Sequence, residues 1–295
     1  MLQSTPVFDI CTLSDFRQDD ILISRFAPYL EHHKNLHAAH GHTFYHLVLF
    51  TQGAGSHVID FERFTVKPYQ IYFMIPGQVH SWSFEGFTDG YIINFSTAFF
   101  QTFLLNAAYI ENFSFFGGDL KDAVIDLPAA MHNEIYALFE EIISEWQNTA
   151  ALSADMLRVL IIRLFILVHR LNTSAGSKGP LSYNQTLLKN FQKLIEANYT
   201  RLKLPKDYAE LLYITPNHLN AICKDLLGIQ AGEMIRNRTL LEAKRLLTNQ
   251  QLSISQIAFE LNFSDNSYFT KFFKKTENIT PEEFRKKILN NDHNE

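Results

Sequence analysis

The run SISQIAFELNFSDNSYFTKFFKKTENITPEEFR, from Ser253 to Arg285, constrains the fold more than any other part of the chain. Ser253 with Gln256 three residues on forms a capping box, and Ile257, Ala258 and Leu261 follow at helical spacing. Asn262 breaks that helix. A second helix starts at Ser264 or Asp265 and sets Phe269, Phe272 and Phe273 on its inner side, leaving Asn266, Ser267, Thr270, Lys271, Lys274 and Lys275 outside. Two short helices joined in this way make a helix-turn-helix, and a polar, lysine-bearing second helix suits a DNA major groove.

The pattern occurs once before. DYAELLYITPNHLNAICKDLLGIQAGEMI sets Ala209 against Ala258, Leu212 against Leu261 and Ile214 against Phe263. After a one-residue insertion Leu219 falls on Phe269, Lys224 on Lys274, Gly228 on Asn278, Ile229 on Ile279 and Met234 on Phe284. Two units are therefore expected, over about 206–227 and 254–277, joined by one helix over 231–249 with Leu240, Ala243 and Leu247 on a stripe. The side chains placed to meet DNA are Asn217, His218, Asn220, Ala221 and Lys224 in the first unit. In the second they are Asp265, Asn266, Ser267, Tyr268, Thr270, Lys271, Lys274 and Lys275. The lysines suit phosphates, which position a protein without reading sequence. Tyr268 and the phenylalanines are expected in the core or positioning the backbone.

Charge is divided unevenly. The whole chain has 26 basic and 31 acidic residues, a net of -5. Residues 181–295 contain 16 Lys and Arg against 13 Asp and Glu, whereas residues 1–180 contain 10 against 18. A mildly basic segment follows an acidic one, so clustered lysines rather than bulk charge would steer DNA, and the binding should be salt-dependent.

The 295 residues exceed one ordinary core, and TSAGSKGPL at 173–181 reads as a linker. Cys11 and Cys223 lie on opposite sides of it, which suggests no bridge and a reducing compartment. No secretion signal is visible, and the most apolar stretch, VLIIRLFILV at 159–168, is too short to span a bilayer and contains Arg163. The expected location is cytoplasmic, with no membrane partner.

Before residue 128 come short β-rich runs, YHLVLF at 45–50, SHVIDF at 56–61, QIYFMI at 70–75 and YIINF at 91–95, punctuated by GAG and PGQ. They predict a small β-barrel over 37–127, preceded by an arm over 1–36. Residues 128–147 and 152–172 then carry helical patterns: Ile135, Leu138, Phe139, Ile142 and Ile143 in one, and Met156, Val159, Leu160, Ile162 and Phe165 in the other. A helical hairpin is expected. The fold class is α+β: a β-barrel with a helical hairpin, then an all-α domain over 182–290.

The last hundred residues resemble the double helix-turn-helix domain of the AraC/XylS family of bacterial transcription regulators. The resemblance rests on Ile257, Ala258, Phe263, Ser267, Tyr268, Phe269, Phe273, Lys274, Thr280, Pro281, Phe284 and Arg285, on Leu240 to Leu247, and on the repeat. Asn262 and Asn278 replace glycines usual in the family, and Asn tolerates the left-handed backbone required there at a cost of ~1 kcal/mol. Ala221 and Cys223 stand where the family often has Arg and Phe. The resemblance implies a cupin-like effector barrel, dimerisation through the hairpin, and four partners: promoter DNA, a small-molecule effector, a second copy and, for an activator, RNA polymerase.

His40, His42 and His46, then Gly53, and later Pro76, Gly77 and His80 resemble the two metal motifs of cupins, with His46 where Glu is usual. Neutral imidazoles on adjacent strands can hold a divalent first-row metal. Regulators of this family often keep such histidines without metal, so no metal, cofactor or catalytic residue is expected. His40, His42, Tyr45, His46, Tyr72, His80, Trp82 and Tyr91 are instead expected to line an effector pocket. Two rivals remain: a metal-dependent cupin enzyme with an appended DNA-binding half, and a ligand-independent DNA-binding protein with a sealed barrel.

Overall fold

The computed structural model describes residues 6–10, 20–33, 36, 38–101, 103–104, 106–148, 150–174 and 182–292. Its contacts divide the chain into two units, Pro6–Lys178 and Gly179–Glu295. Cys11 and most of the expected linker, residues 175–181, lie outside the described residues, while 173 and 174 complete a helix.

The first unit is layered. One five-stranded sheet has the order β1 (Val7–Phe8), β3 (His40–His42), β8 (Val79–Phe84), β5 (Gly55–Ile59), β6 (Glu62–Thr65). The other has the order β10 (Val124–Asp126), β7 (Gln70–Met74), β4 (Tyr45–Gln52), β9 (Asp89–Phe95), β2 (Ile21–Arg25). Among the described residues these are two separate sheets, where the sequence predicts one barrel. The first core lies between them: Val48, Phe50, Tyr72, Met74 and Ile92 from the second sheet meet Ile59 and Trp82 from the first. The second core lies on the outer face of the second sheet, where Leu47, Leu49, Ile71, Phe73 and Ile93 meet helices α2 (His132–Gln147) and α3 (Ser153–Ser174). Because successive strand side chains point to opposite faces, β4 and β7 are apolar on both sides and bury almost completely.

Two sequence expectations are corrected here. The arm over 1–36 does not extend through residue 32. Ile21–Arg25 pairs antiparallel with β9, from Ile21 opposite Phe95 to Arg25 opposite Tyr91. Helix α1 (Phe26–His32) follows at once and buries Phe26 and Tyr29. Ile21 and Ile23 enter one core and Leu22 the other, so this strand has no polar face and shows no alternation to read. In α3, the predicted stripe mixes two faces. Leu160 and Phe165 are buried with Leu157, Ile161 and Leu164, but Met156 is 48% and Val159 49% exposed, because the helix is apolar nearly all round.

The second unit is all helical: α4 (Tyr183–Asn198), α5 (Pro205–Leu211), α6 (Pro216–Leu227), α7 (Ala231–Thr248), α8 (Ile254–Glu260), α9 (Asn266–Glu277) and α10 (Pro281–Asp292). It has one core per repeat. Leu219, Ile222 and Cys223 pack with Tyr208, Ala209 and Phe191, while Phe269 and Phe273 pack with Ile257, Ala258 and Phe284. Helix α7 serves both, giving Ala231 and Ile235 to the first core and Leu240, Ala243 and Leu247 to the second. Arg238 lies over the Tyr199 ring at 3.9 Å and bonds Glu196 at 2.8 Å, which ties α7 to α4. Among the described residues no helix is long and apolar enough to cross a membrane.

Candidate functional site

The turns of the two helix-turn-helix units share one backbone. In the first, Ile214 N–H donates to Ala209 C=O at 3.0 Å and Tyr213 has φ 56°. In the second, Phe263 N–H donates to Ala258 C=O at 2.9 Å and Asn262 has φ 58°. Each following helix is capped by a short polar side chain: Thr215 accepts from His218 N–H at 3.2 Å, and Asp265 from Tyr268 N–H at 2.7 Å. Each ends on a left-handed residue, Gly228 at φ 76° and Asn278 at φ 63°. The capping box at Ser253 and Gln256 is formed.

Of the side chains expected to meet DNA, Asn217, His218, Ala221 and Lys224 are exposed on α6. Asn266, Ser267, Tyr268, Lys271, Lys274 and Lys275 are exposed on α9, and Thr270 is half-buried between them. Tyr268, expected to meet DNA by positioning the backbone or else to join the core, is 60% exposed, with its ring 5.8 Å from that of Phe263. It sits in the first turn of α9, beside the N-terminus that recognition helices turn toward bases. The half-buried Asn220 is engaged within the fold: its Oδ1 accepts from Ala231 N–H at 3.1 Å and satisfies an orphan donor at the start of α7. Pro281 occupies the equivalent place in the second repeat and has no N–H to satisfy, so Thr270 has no such duty. Asp265 is exposed, but its carboxylate is occupied as a cap. Lys271, Lys274 and Lys275 make α9 the more basic of the two helices, since α6 sets Lys224 beside Asp225.

In the first unit the expected pocket residues divide between the two cores. His40, His42, His46, Tyr72, His80 and Trp82 face the space between the sheets, all essentially buried. Tyr45 and Tyr91 do not join them. Tyr45 stacks on Phe95 at 5.0 Å and Tyr91 on Phe139 at 4.8 Å, both on the outer face against the helices. The reason is strand alternation: Tyr45 precedes His46, so the two point to opposite sides of β4. Phe26 fills part of the inner space, meeting Phe50 at 5.1 Å, Trp82 at 5.4 Å and Phe84 at 5.6 Å.

The sequence reading missed His57 and Asn94. β5 pairs with β8 so that His57 lies opposite Trp82 and Ile59 opposite His80. His57 Nε2 then meets His80 Nδ1 at 2.9 Å, and His80 Nε2 meets His42 Nε2 at 2.7 Å. His46 Nδ1 bonds Asn94 Oδ1 at 2.7 Å, and His40 Nδ1 donates to Ala38 C=O at 2.8 Å. Burial disfavours the charged imidazole, holding His42, His57 and His80 well below their ordinary pKa and His46 at about 3, so these four rings are neutral. The signal that could have found His57 is its alternation with Ile59, but its partner is set by register, which sequence alone does not fix.

Comparison with known proteins agrees with both halves. Residues 24–165 match the AraC-like ligand binding domain and residues 208–287 a helix-turn-helix domain of AraC type. The chain is 25% identical over 170 residues to the regulatory protein PocR of Salmonella typhimurium, covering 52% of this chain and 56% of that one. It is 46% identical over 68 residues to the probable transcription factor PqrA of Proteus vulgaris, covering 23% of this chain and 56% of that one. The HTH-type transcriptional activator RhaR of Yersinia pestis aligns over 253 residues at 21% identity, 85% of each chain. The alignments with PocR and PqrA thus span little more than half of those relatives. With a ligand-binding domain of this type followed by two helix-turn-helix units, the chain belongs to the AraC family of transcription regulators.

Proposed function

We propose that this protein is a ligand-responsive, sequence-specific DNA-binding regulator of transcription, acting in the cytoplasm as a homodimer on promoter DNA. The observation that carries the reading is the repeated helix-turn-helix. Two turns with a left-handed residue at the same place and the same hydrogen bond each present a capped helix with polar, exposed first-turn side chains. Asn266, Ser267, Tyr268, Thr270 and Lys271 are the base-reading side of the second unit, with Asn217, His218 and Ala221 in the first. Lys224, Lys274 and Lys275 take phosphates. The region up to residue 127 senses the effector, residues 128–172 pair the copies, and the segment from 182 binds DNA. An activator of this design also touches RNA polymerase.

The layering of the first unit supports a path from ligand to helices. Glu140 of α2 accepts from Arg25 at 2.5 Å and from Tyr91 OH, so strands β2 and β9 are both clamped to the hairpin. A ligand between the sheets that binds two arrangements of β9 unequally would bias α2 through this clamp, and only such a difference in affinity can regulate. No catalytic step enters this reading. On the helices, the exposed face of α3 forms an apolar groove of about 420 Å³ lined by Phe103, Val159, Ile162, Ile166 and Leu167, and a second copy suits it.

The test is genome-wide mapping of bound sites followed by footprinting on purified DNA. Discrete protected sites, shared by many fragments as one motif, are expected. Binding that tracks DNA length alone and shows no motif would overturn the proposal.

A further inference from the structure

We propose that His40, His42 and His80 form a binding site for one divalent first-row transition metal ion of the zinc class, with His57 as the outer partner that orients His80. This concerns the first unit alone and stands or falls independently of the DNA-binding reading. The cupin resemblance would place His46 among the ligands; the structure gives a different set.

Ligand-capable nitrogens of His40, His42 and His80 all lie within 4.8 Å of one another, and all three residues are buried. Their rings crowd one point, with centroids 4.8 Å apart for His40 and His42, 4.1 Å for His40 and His80, and 4.8 Å for His42 and His80. Three imidazoles so placed can ligate in their neutral form: zinc sites use nitrogens about 2.0–2.1 Å from the ion, so nitrogens on one tetrahedral ion lie roughly 3.3 Å apart. The 2.7 Å between His42 Nε2 and His80 Nε2 needs to open by about 0.6 Å to reach that spacing.

The second nitrogens argue more strongly. Metal-bound histidines donate their other N–H to a fixed acceptor, which sets the tautomer. His40 does this: Nδ1 donates to the Ala38 carbonyl at 2.8 Å, which leaves the lone pair on Nε2. His80 has the same provision, because Nδ1 can donate to His57 Nε2 at 2.9 Å and free its own Nε2. His57 Nδ1 is buried with no hydrogen-bond partner, as suits a histidine whose one polar contact is to orient another. With no ion, the proton between His42 and His80 must lie on one Nε2, while His42 Nδ1 remains buried and unsatisfied. A metal in place of that proton engages both Nε2 lone pairs and moves the proton to His42 Nδ1, which has no hydrogen-bond partner, so outer partners are in place for His40 and His80 alone.

His46 is set apart. Its Nδ1 is held by Asn94 at 2.7 Å and its Nε2 is buried without a partner, its ring 5.0 Å from His42 and 5.1 Å from His80. It is therefore left outside the three-ligand set, and a fourth position on a four-coordinate ion would go to water or the donor atom of a small ligand. An all-imidazole set selects against magnesium and calcium, which require oxygen ligands.

The test uses untagged full-length protein, treated with chelator, dialysed, and titrated with Co(II) as a visible stand-in for Zn(II). Expected are ligand-field bands that saturate at about one ion per chain, vanish on adding Zn(II), and do not form with Mg(II). His80→Gln should lose the bands. His57→Gln, which leaves every ligand in place, should keep them with affinity weakened about 10–100-fold. Far-UV circular dichroism confirms that each variant folds; should His80→Gln not fold, the His57→Gln titration decides. No saturable band in the parent protein, or titrations of His57→Gln that overlay the parent, would overturn the site.

Discussion

Tyr213 and Asn262 occupy the same place in the two repeats, each closing its turn with a left-handed backbone, φ 56° and 58°. Asn visits that region at little cost, but a Cβ-bearing aromatic residue is destabilised there by roughly 1–2 kcal/mol. Tyr213 is 96% exposed, so no packing offsets the strain.

Replacing Tyr213 with Asn should therefore raise the stability of the second unit by about 1 kcal/mol, and Asn262→Ala should lower it by a similar amount. Both tryptophans, Trp82 and Trp146, lie in the first unit, so far-UV circular dichroism in urea must follow the second. A loss of stability in Tyr213→Asn would show that the ring makes contacts its exposure conceals.

Asn220 and Thr270 separate scaffold from readout. Asn220→Ala leaves the Ala231 N–H without its acceptor and should cost about 1 kcal/mol, lowering operator affinity without changing the preferred sequence. Thr270→Ala should alter preference at particular base pairs, each good base contact being worth about 1–3 kcal/mol. Binding selections from randomised operators read the difference. The same altered motif in both variants would place Asn220 at the bases after all.

Charge on α9 gives opposite signs in two variants. Lys274→Ala removes a phosphate partner and should reduce the log-log salt slope by ~0.9. Asp265→Asn keeps the cap, because Asn caps as well as Asp, but removes an anion from the face that meets phosphates. Its affinity should rise for all sequences alike. Filter binding across a salt series checks both, and a weakened Asp265→Asn would mean that the carboxylate itself contacts a base.

Lys203 supplies a pH dependence. Its ammonium donates to Tyr199 C=O at 2.7 Å and lies 5.1 Å from the Phe263 ring centre, and burial lowers its pKa to about 8 from an ordinary 10.5. Below pH 8 folded and unfolded chains both carry the proton, and the buried charge weighs fully against folding. Between 8 and 10.5 the unfolded chain keeps a proton that the folded chain has released, so stability of the second unit rises with pH. Lys203→Met should flatten that rise. Urea midpoints at pH 7.5 and 9.5 that agree in the parent protein would refute the assignment.

The second unit was legible because its signals are local. Ser253 and Gln256, the breaks at Asn262 and Asn278, and the Leu240, Ala243, Leu247 stripe each act within one or two turns, and the repeat states them twice. Asn220 escaped because its partner, Ala231, is fixed only when α6 packs against α7. In the first unit, β2 hid because ILISR is apolar toward both cores. Tyr45 was placed beside His46 by proximity in sequence, although the pleat separates them. His57 needed the β5–β8 register, a property of paired strands that neither strand encodes alone.

The exposed face of α3 gives the last prediction. Leu160, Ile161, Leu164 and Phe165 already bury the inner side of this helix, so Val159, 49% exposed, contributes little to the first unit's own core, while Ile162 is half-buried at its edge. They line the apolar groove with Ile166 and Leu167, between the charged heads of Arg163 and Arg170. Arg163 reaches Glu134 at 3.3 Å, which keeps α2 beside the groove and gives its rim both signs of charge. A two-fold pairing of such faces would bury the apolar strip and set unlike charges against each other. Val159→Glu places a carboxylate in that strip while leaving the inner face intact. It should convert a dimer to a monomer in sedimentation, preserve the Trp fluorescence of the folded first unit, and weaken operator binding by the loss of the second copy's contacts. A monomeric parent protein, or a Val159→Glu variant that remains dimeric, would move the interface elsewhere.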